Sequence, residues 1–284
     1  MEDKKTEKSD TNYRKLLIIP IILLIFSLGY LYVATTGPGL ERDIDLKGGT
    51  QISIEFESSI NGDSIKSILA EFEPKIKTGR SINGFTVIIE VESSVNTSEV
   101  MQKLENSGYS FENYSVQTMG PILGESFFKQ SQYALAFAFV FMAIVIFIIF
   151  RKLLPSFYVV LCASADIIET LAFSQILGIK LSLASFSALL LLVGYSVDTD
   201  ILLTTRLLKA GGDVKENMKN ALKTGLTMSA TTLTVLLSLY FISTSGIIQQ
   251  IASVLIIGLV LDITNTWLLN APLIRWYIEK KVNK

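Results

Sequence analysis

Five acidic side chains occupy positions where acids are unfavourable: Asp166, Glu169, Asp198, Asp200 and Asp262 all fall in stretches otherwise apolar enough to cross a lipid bilayer. An aspartate near the centre of a spanning helix costs about 2.5–3.5 kcal/mol on insertion scales, so a set of this size needs something to offset it. No lysine or arginine stands at comparable depth in these stretches. A carboxyl group in a low-dielectric site without a cationic partner is expected to take up and release a proton near neutral pH, and proton binding is the chemistry these residues can do. Asp166 and Glu169 are three positions apart and share a helix face, as do Asp262 and Asn265. Asp198 and Asp200 do not, so one of them faces a different neighbour. Arg206 lies about one and a half turns beyond Asp200, within reach of an ion pair if the helix continues.

Other chemistries are excluded by composition. The 284 residues contain no histidine and one cysteine, Cys162, which removes histidine acid–base catalysis, ordinary zinc sites and any intrachain disulfide. No metal and no cofactor is expected. Twenty-five basic and 26 acidic residues leave a net charge of -1, with no pull toward nucleic acid. The hydroxyl residues Thr227, Ser229, Thr231, Thr232, Thr234 and Ser238 read as helix-packing positions, as do Gly194 and Gly258, and Cys162 reads as a small buried hydrophobe.

The elements that must position the acids are membrane spans. Half of the residues are hydrophobic and 18% are charged, against about 25% in an average soluble domain, and the mean hydropathy is +0.47. Six runs approach the roughly 20 apolar residues needed to cross a bilayer: Leu16 to Ala34, Gln132 to Phe150, Pro155 to Leu177, Leu181 to Leu203, Leu222 to Ser243 and Ile247 to Asn270. The first stands alone and five follow together. Basic residues cluster before the first span (Lys4, Lys5, Lys8, Arg14, Lys15), after the second (Arg151, Lys152), after the fourth (Arg206, Lys209, Lys215, Lys219) and in the tail (Arg275, Lys280, Lys281, Lys284). These segments all fall on one side, which puts both termini in the cytoplasm. The first run is longer than a signal-peptide core, and Val33-Ala34-Thr35 is a poor cleavage pattern, so it reads as a retained anchor.

Between the first and second spans, the periodicity alternates between strand and helix. Thr50 to Phe56, Lys75 to Ile82, Phe85 to Val91 and Tyr114 to Met119 read as strands, with Asn83-Gly84 as a type I′ hairpin turn; Asn61 to Glu73 and Thr97 to Ser107 read as amphipathic helices. The order β-α-β-β-α-β is ferredoxin-like. The expected fold is therefore an α-helical membrane protein of six transmembrane helices, grouped 1+5, with a ferredoxin-like α/β extracytoplasmic domain between the first and second. The expected boundaries are a cytoplasmic N-terminus (1–15), first helix (16–36), external domain (37–128), five-helix domain (129–274) and cytoplasmic tail (275–284).

Three segments carry a resemblance. Asp43-Ile44-Asp45-Leu46-Lys47-Gly48-Gly49-Thr50 is similar to a signature following the first span in the SecD/SecF family of protein-export membrane proteins, part of the RND-like superfamily. Gly120-Pro121-Ile122-Leu123-Gly124-Glu125 resembles the element preceding that family's second span, and Val193-Gly194-Tyr195-Ser196-Val197-Asp198-Thr199-Asp200-Ile201, with Arg206 beyond it, resembles the fourth-span motif. The Asp198-Thr199-Asp200 arrangement and the lack of a histidine before Asp166, where Ala165 stands, resemble the archaeal members of that family. The resemblance implies a complex with SecD, action on the Sec translocon and the emerging secreted polypeptide, residence in the cytoplasmic membrane, and coupling to the proton gradient. On that reading Asp198 and Asp166 are the leading proton-binding groups, with Asp200, Asp262, Glu169 and Arg206 secondary, and no enzymatic activity is expected. The alternatives are a non-energised assembly subunit of the translocon and an RND-like half-transporter for a lipid or small molecule. An intramembrane aspartyl protease lacks its Tyr-Asp and Gly-x-Gly-Asp elements, since Ala165 precedes Asp166 and Val197 precedes Asp198.

Overall fold

The computed structural model describes residues 13–37, 39–56, 60–81, 84–111, 114–209, 214–243 and 245–282. Lys4, Lys5, Lys8 and Lys284, and Asn83 of the expected hairpin turn, lie outside the described residues. Among the described residues, six helices are long and apolar enough to cross a membrane. The chain divides into two compact units, one of residues 42–132 with 181–183 and one holding the remainder.

The first unit is built on a four-stranded sheet. In chain order it contains α2 (Ile44–Lys47), β1 (Gly49–Phe56), α3 (Gly62–Ile68), β2 (Lys75–Ser81), β3 (Gly84–Val91), α4 (Thr97–Asn106) and β4 (Tyr114–Met119), while α1 (Ile18–Thr36) belongs to the other unit. The strands lie in the order β2-β3-β1-β4 with every neighbouring pair antiparallel, the ferredoxin-like arrangement expected from the periodicity. Alternation along β1 and β3 sends Ile52, Ile54, Val87 and Ile89 to one face, where they pack on Ile65, Leu69, Val100 and Leu104. Asn61 and Asn96 cap the two helices through their side chains, each accepting from a backbone N–H at 3.0 Å. The first amphipathic segment is shorter as an α-helix than its periodicity suggests: it tightens into a 3-10 turn at Ala70–Phe72 and stops at Glu73, whose φ is +46°.

Two of the motif segments meet inside this unit. Gly48 adopts φ +84°, and a side chain there would place its Cβ 2.6 Å from Pro121 Cα; a Cβ on Gly124 would fall 2.7 Å from the Gly48 nitrogen. These close approaches are backbone to backbone, so glycine is required on both sides. Asp43 caps α2 by accepting from the Ile44 N–H at 2.9 Å, and Asp45 accepts from Gln117 Nε2 at 3.2 Å.

Spans two to six are α5 (Pro121–Phe150), α6 (Leu153–Ile176), α7 (Leu183–Lys209), α8 (Val214–Ile242) and α9 (Gly246–Asn265), the last continuing through a π-helical turn, Thr266–Asn270, into α10 (Ala271–Val282). α5 starts about ten residues earlier than its apolar run because Pro121, with φ preset, favours the first helical position, and polar turns precede the apolar part. The interior of the helical unit is made mainly by α6, α7 and α9, where Val159, Ala163, Ala188, Leu189, Leu192 and Leu259 are buried, with Ile146 and Phe150 of α5 and Leu236 of α8 joining them. Gly258 admits the Leu192 side chain, and Gly225 of α8 sits against the Trp267 ring.

Candidate functional site

Four of the five predicted acids converge. Asp166 and Glu169 of α6, Asp200 of α7 and Asp262 of α9 are each fully buried, and with them Ser196, Asn265, Thr266 and Asn270. Ser196 Oγ donates a hydrogen bond to Asp166 Oδ2. Asn265 Nδ2 bridges the two acids of α6, donating to Asp166 Oδ1 at 2.8 Å and to Glu169 Oε2 at 3.0 Å. Asn270 Nδ2 donates to Asp200 Oδ1 at 2.6 Å. The Thr266 hydroxyl, with one proton to give, stands 3.2 Å from Asp200 Oδ1 and 3.3 Å from Asp262 Oδ1. Thr266 thereby links Asp262 to Asp200 of α7, while Asn265 reaches the acids of α6, tying three helices into one polar cluster.

The cluster has more acceptors than donors. Glu169 Oε1, Asp200 Oδ2, Asp262 Oδ2 and the amide oxygens of Asn265 and Asn270 are buried without a donor. No lysine or arginine pairs with any of the four carboxyls among the described residues. Nor do the described residues hold a group of carboxylates arranged to grip a metal ion. Protons added to the carboxyls would supply the missing donors in place. This is chemistry that an acceptor-rich pocket in a low-dielectric surrounding favours.

The remaining predicted residues lie elsewhere. Asp198 is exposed on α7, as two steps of about 100° from Asp200 require. Gly194 shares that exposed side, and a Cβ there would meet nothing within 4 Å, whereas Gly258 is a close-packing position. Tyr195 turns partly inward and its hydroxyl stands 3.4 Å from Ser229 Oγ. Arg206 is half-buried and makes no ion pair with Asp200 among the described residues; six α-helical residues rotate by about 600°, which carries Arg206 away from the Asp200 side. Cys162 is a free, buried thiol. The hydroxyls of Thr227, Thr231, Thr234 and Ser238 form an exposed stripe along α8, each bonded back to a carbonyl of its own helix at 2.8–2.9 Å.

Two donors of the cluster, Thr266 and Asn270, are not singled out by acid spacing. Asn270 stands at the expected end of the last span, yet the helix runs on to Val282. A polar residue retained at that depth is the signal that could have marked it.

Residues 99–280 match the family described as protein export membrane protein SecD/SecF, C-terminal. The protein-export membrane protein SecF of Methanocaldococcus jannaschii is 39% identical over 279 residues, covering 95% of this chain and 97% of that one. SecF of Methanolacinia petrolearia is 38% identical over 272 residues, covering 94% of each. Among solved structures, the translocon-associated membrane protein SecDF from Thermus thermophilus superposes with a TM-score of 0.76 at 18% identity, over 95% of this chain and 38% of that one.

Proposed function

Since the chain belongs to the SecD/SecF family of protein-export membrane proteins, we propose that it acts as the SecF-type half of a SecD–SecF complex that assists the Sec translocon by drawing on the proton gradient. The observation that carries this reading is the convergence of Asp166, Glu169, Asp200 and Asp262 on one buried cluster without a cation. A scaffold has no need of four carboxyls in its core, each unfavourable by about 2.5–3.5 kcal/mol when placed in a spanning helix. A proton-loaded and a proton-depleted cluster differ in which acceptors are satisfied, and so in how tightly α6, α7 and α9 hold together. That difference is the bistable step a gradient can drive.

The orientation we propose keeps both termini in the cytoplasm and the sheet unit outside, following the lysine and arginine bias of the short flanks. The boundaries we propose for these regions are 16–36 for the first helix, 37–128 for the external domain and 129–274 for the five-helix domain. The face of α7 that carries Gly194 and Asp198 is assigned to SecD. An acid midway along a spanning helix, left exposed by its own chain, is offset when a partner subunit supplies polar groups, and small residues allow the close approach. Asp198 then belongs to the proton path as a group completed by the partner.

The test is gradient-dependent export by the chain reconstituted with SecD, comparing wild type with Asp166→Asn, Asp200→Asn and Asp198→Asn. Loss of the gradient-dependent part with the complex intact supports the proposal. Wild-type export by all three variants under the same gradient overturns it and leaves an assembly subunit as the better reading, while transport of a small molecule or lipid without SecD would mark a half-transporter.

A further inference from the structure

The two edges of the sheet are built differently. β2 carries Lys75 and Lys77, both exposed, the kind of charge that keeps a sheet edge from pairing with a stray strand. β4, Tyr-Ser-Val-Gln-Thr-Met over Tyr114–Met119, has no charge, no proline and no glycine, and five of its six residues are exposed. Among the described residues it pairs with β1 along one side only and is the last strand of the sheet. On the helix-covered face, Tyr114 and Val116 stand opposite Ile54 and Ile52 but remain 56% and 40% exposed. Beside them Phe56, Phe111 and Tyr114 pack edge to face, with centroids 6.1–6.2 Å apart. An open backbone ladder flanked by a small apolar shelf is the geometry of β-strand addition, in which main-chain bonds give affinity and the shelf holds alternate side chains.

We propose that β4 binds an extended segment of the exported polypeptide as an added antiparallel or parallel strand. This deepens the export reading above and rests on it for the identity of the ligand. Two features favour a passing, sequence-diverse chain. The edge is neutral and presents Ser, Gln and Thr between its apolar residues, so it accepts acidic and basic segments alike; recognition rests on the backbone every polypeptide shares. Its length is also small: six residues span about 20 Å, so a strand laid there buries well under the roughly 1,000 Å² that a stable subunit contact or a dimer needs. A short ladder of that kind holds a segment briefly and lets it go, which suits a chain in transit.

Amide hydrogen exchange on the full chain with SecD in lipid nanodiscs tests this, with reduced, carboxymethylated lactalbumin as an unfolded polypeptide. The added polypeptide is expected to slow exchange in β4 by about tenfold while β2 is unchanged. The double variant S115K and V116K, which gives β4 the lysine character of β2, is expected to lose that slowing while β1 and β3 exchange as in wild type, the sign that the sheet is intact. Three results overturn the proposal: β4 already slowed by SecD alone, which assigns the edge to the partner subunit; slowing that scales with the concentration of the chain itself, which assigns it to a second copy; and no change in β4 with lactalbumin. Neither a gradient nor export enters the measurement, so slowed exchange in a complex that fails to export would count against the proton-coupling reading and leave the edge site standing.

Discussion

Asn265 is the residue on which the acid cluster depends most directly. Its single amide nitrogen serves two carboxyls of α6, at 2.8 and 3.0 Å. Hydrogen bonds are worth about 0.5–1.5 kcal/mol each, about 1.5–3 kcal/mol where the acceptor is charged, and a buried acceptor left bare adds its own penalty. Asn265→Leu is therefore expected to lower the stability of the purified chain by about 2–4 kcal/mol, read as a fall in the thermal unfolding midpoint in detergent; an unchanged midpoint would mean that the two acids do not rely on this donor. Asp45 offers the opposite case outside the spans. Burial, helped by the neighbouring Asp43 carboxylate, raises its pKa above the usual 3.8. A raised carboxyl favours the protonated fold, so the stability it contributes is full below pH 3.8 and falls away as pH rises through the elevated value. Asp45→Asn should then gain thermal stability over wild type at pH 7 and show little gain at pH 3.5. A gain independent of pH would show that the Gln117 contact, not ionisation, sets its effect.

At the scale of elements, the informative feature is the wide turn at Thr266–Asn270. Asn265 and Asn270 are five apart, which on a continuous α-helix separates them by about 140° and would leave one asparagine off the cluster. A π-helical turn closes i→i+5 bonds, so both asparagines and Thr266 reach the same side, as such turns commonly do at functional sites. Deleting Leu268 closes the turn to an α-helical one with the asparagines four apart, again on one face, and is expected to preserve export. Inserting one alanine after Leu268 places them six apart, about 240° around, and is expected to abolish gradient-dependent export while the helix still forms. Equal export by both variants would sink the geometric account of the turn. The wide turn also shows where sequence reading stops. The six spans, the strand order and the acids follow from periodicity and hydropathy, because these are single-element properties. Which of Asp198 and Asp200 turns inward, and where Asn270 points, depend on how α6, α7 and α9 rotate against each other, and spacing along one helix does not encode that. The Gly48–Gly124 approach is of the same kind: two motifs more than 70 residues apart explain each other only once folded.

For the whole molecule, the five acids separate into a set gathered inside the chain and one left for something else. Asp198 is the sixteenth of 27 residues in α7, counted from Leu183, and its carboxyl is exposed. If lipid surrounds it in the isolated chain, an aspartate there costs about 2.5–3.5 kcal/mol, and a leucine in its place is favourable. Asp198→Leu is thus expected to stabilise the isolated chain in bilayers by about 2–4 kcal/mol, measured by the force or binding free energy needed to pull the helical unit apart. In the complex the sign reverses. A leucine there removes the group that SecD is proposed to meet, so co-purification with SecD should weaken and the gradient-dependent part of export should be lost. Asp200→Leu should behave otherwise, because it strips Asn270 of its acceptor inside the chain and destabilises the isolated protein as well. The opposite signs of the two substitutions in the isolated chain, with the same loss of export in the complex, separate a carboxyl held for a partner from one held for the fold. If Asp198→Leu leaves the isolated chain unchanged, its carboxyl is already hydrated at the bilayer edge, and the assignment of that face to SecD fails.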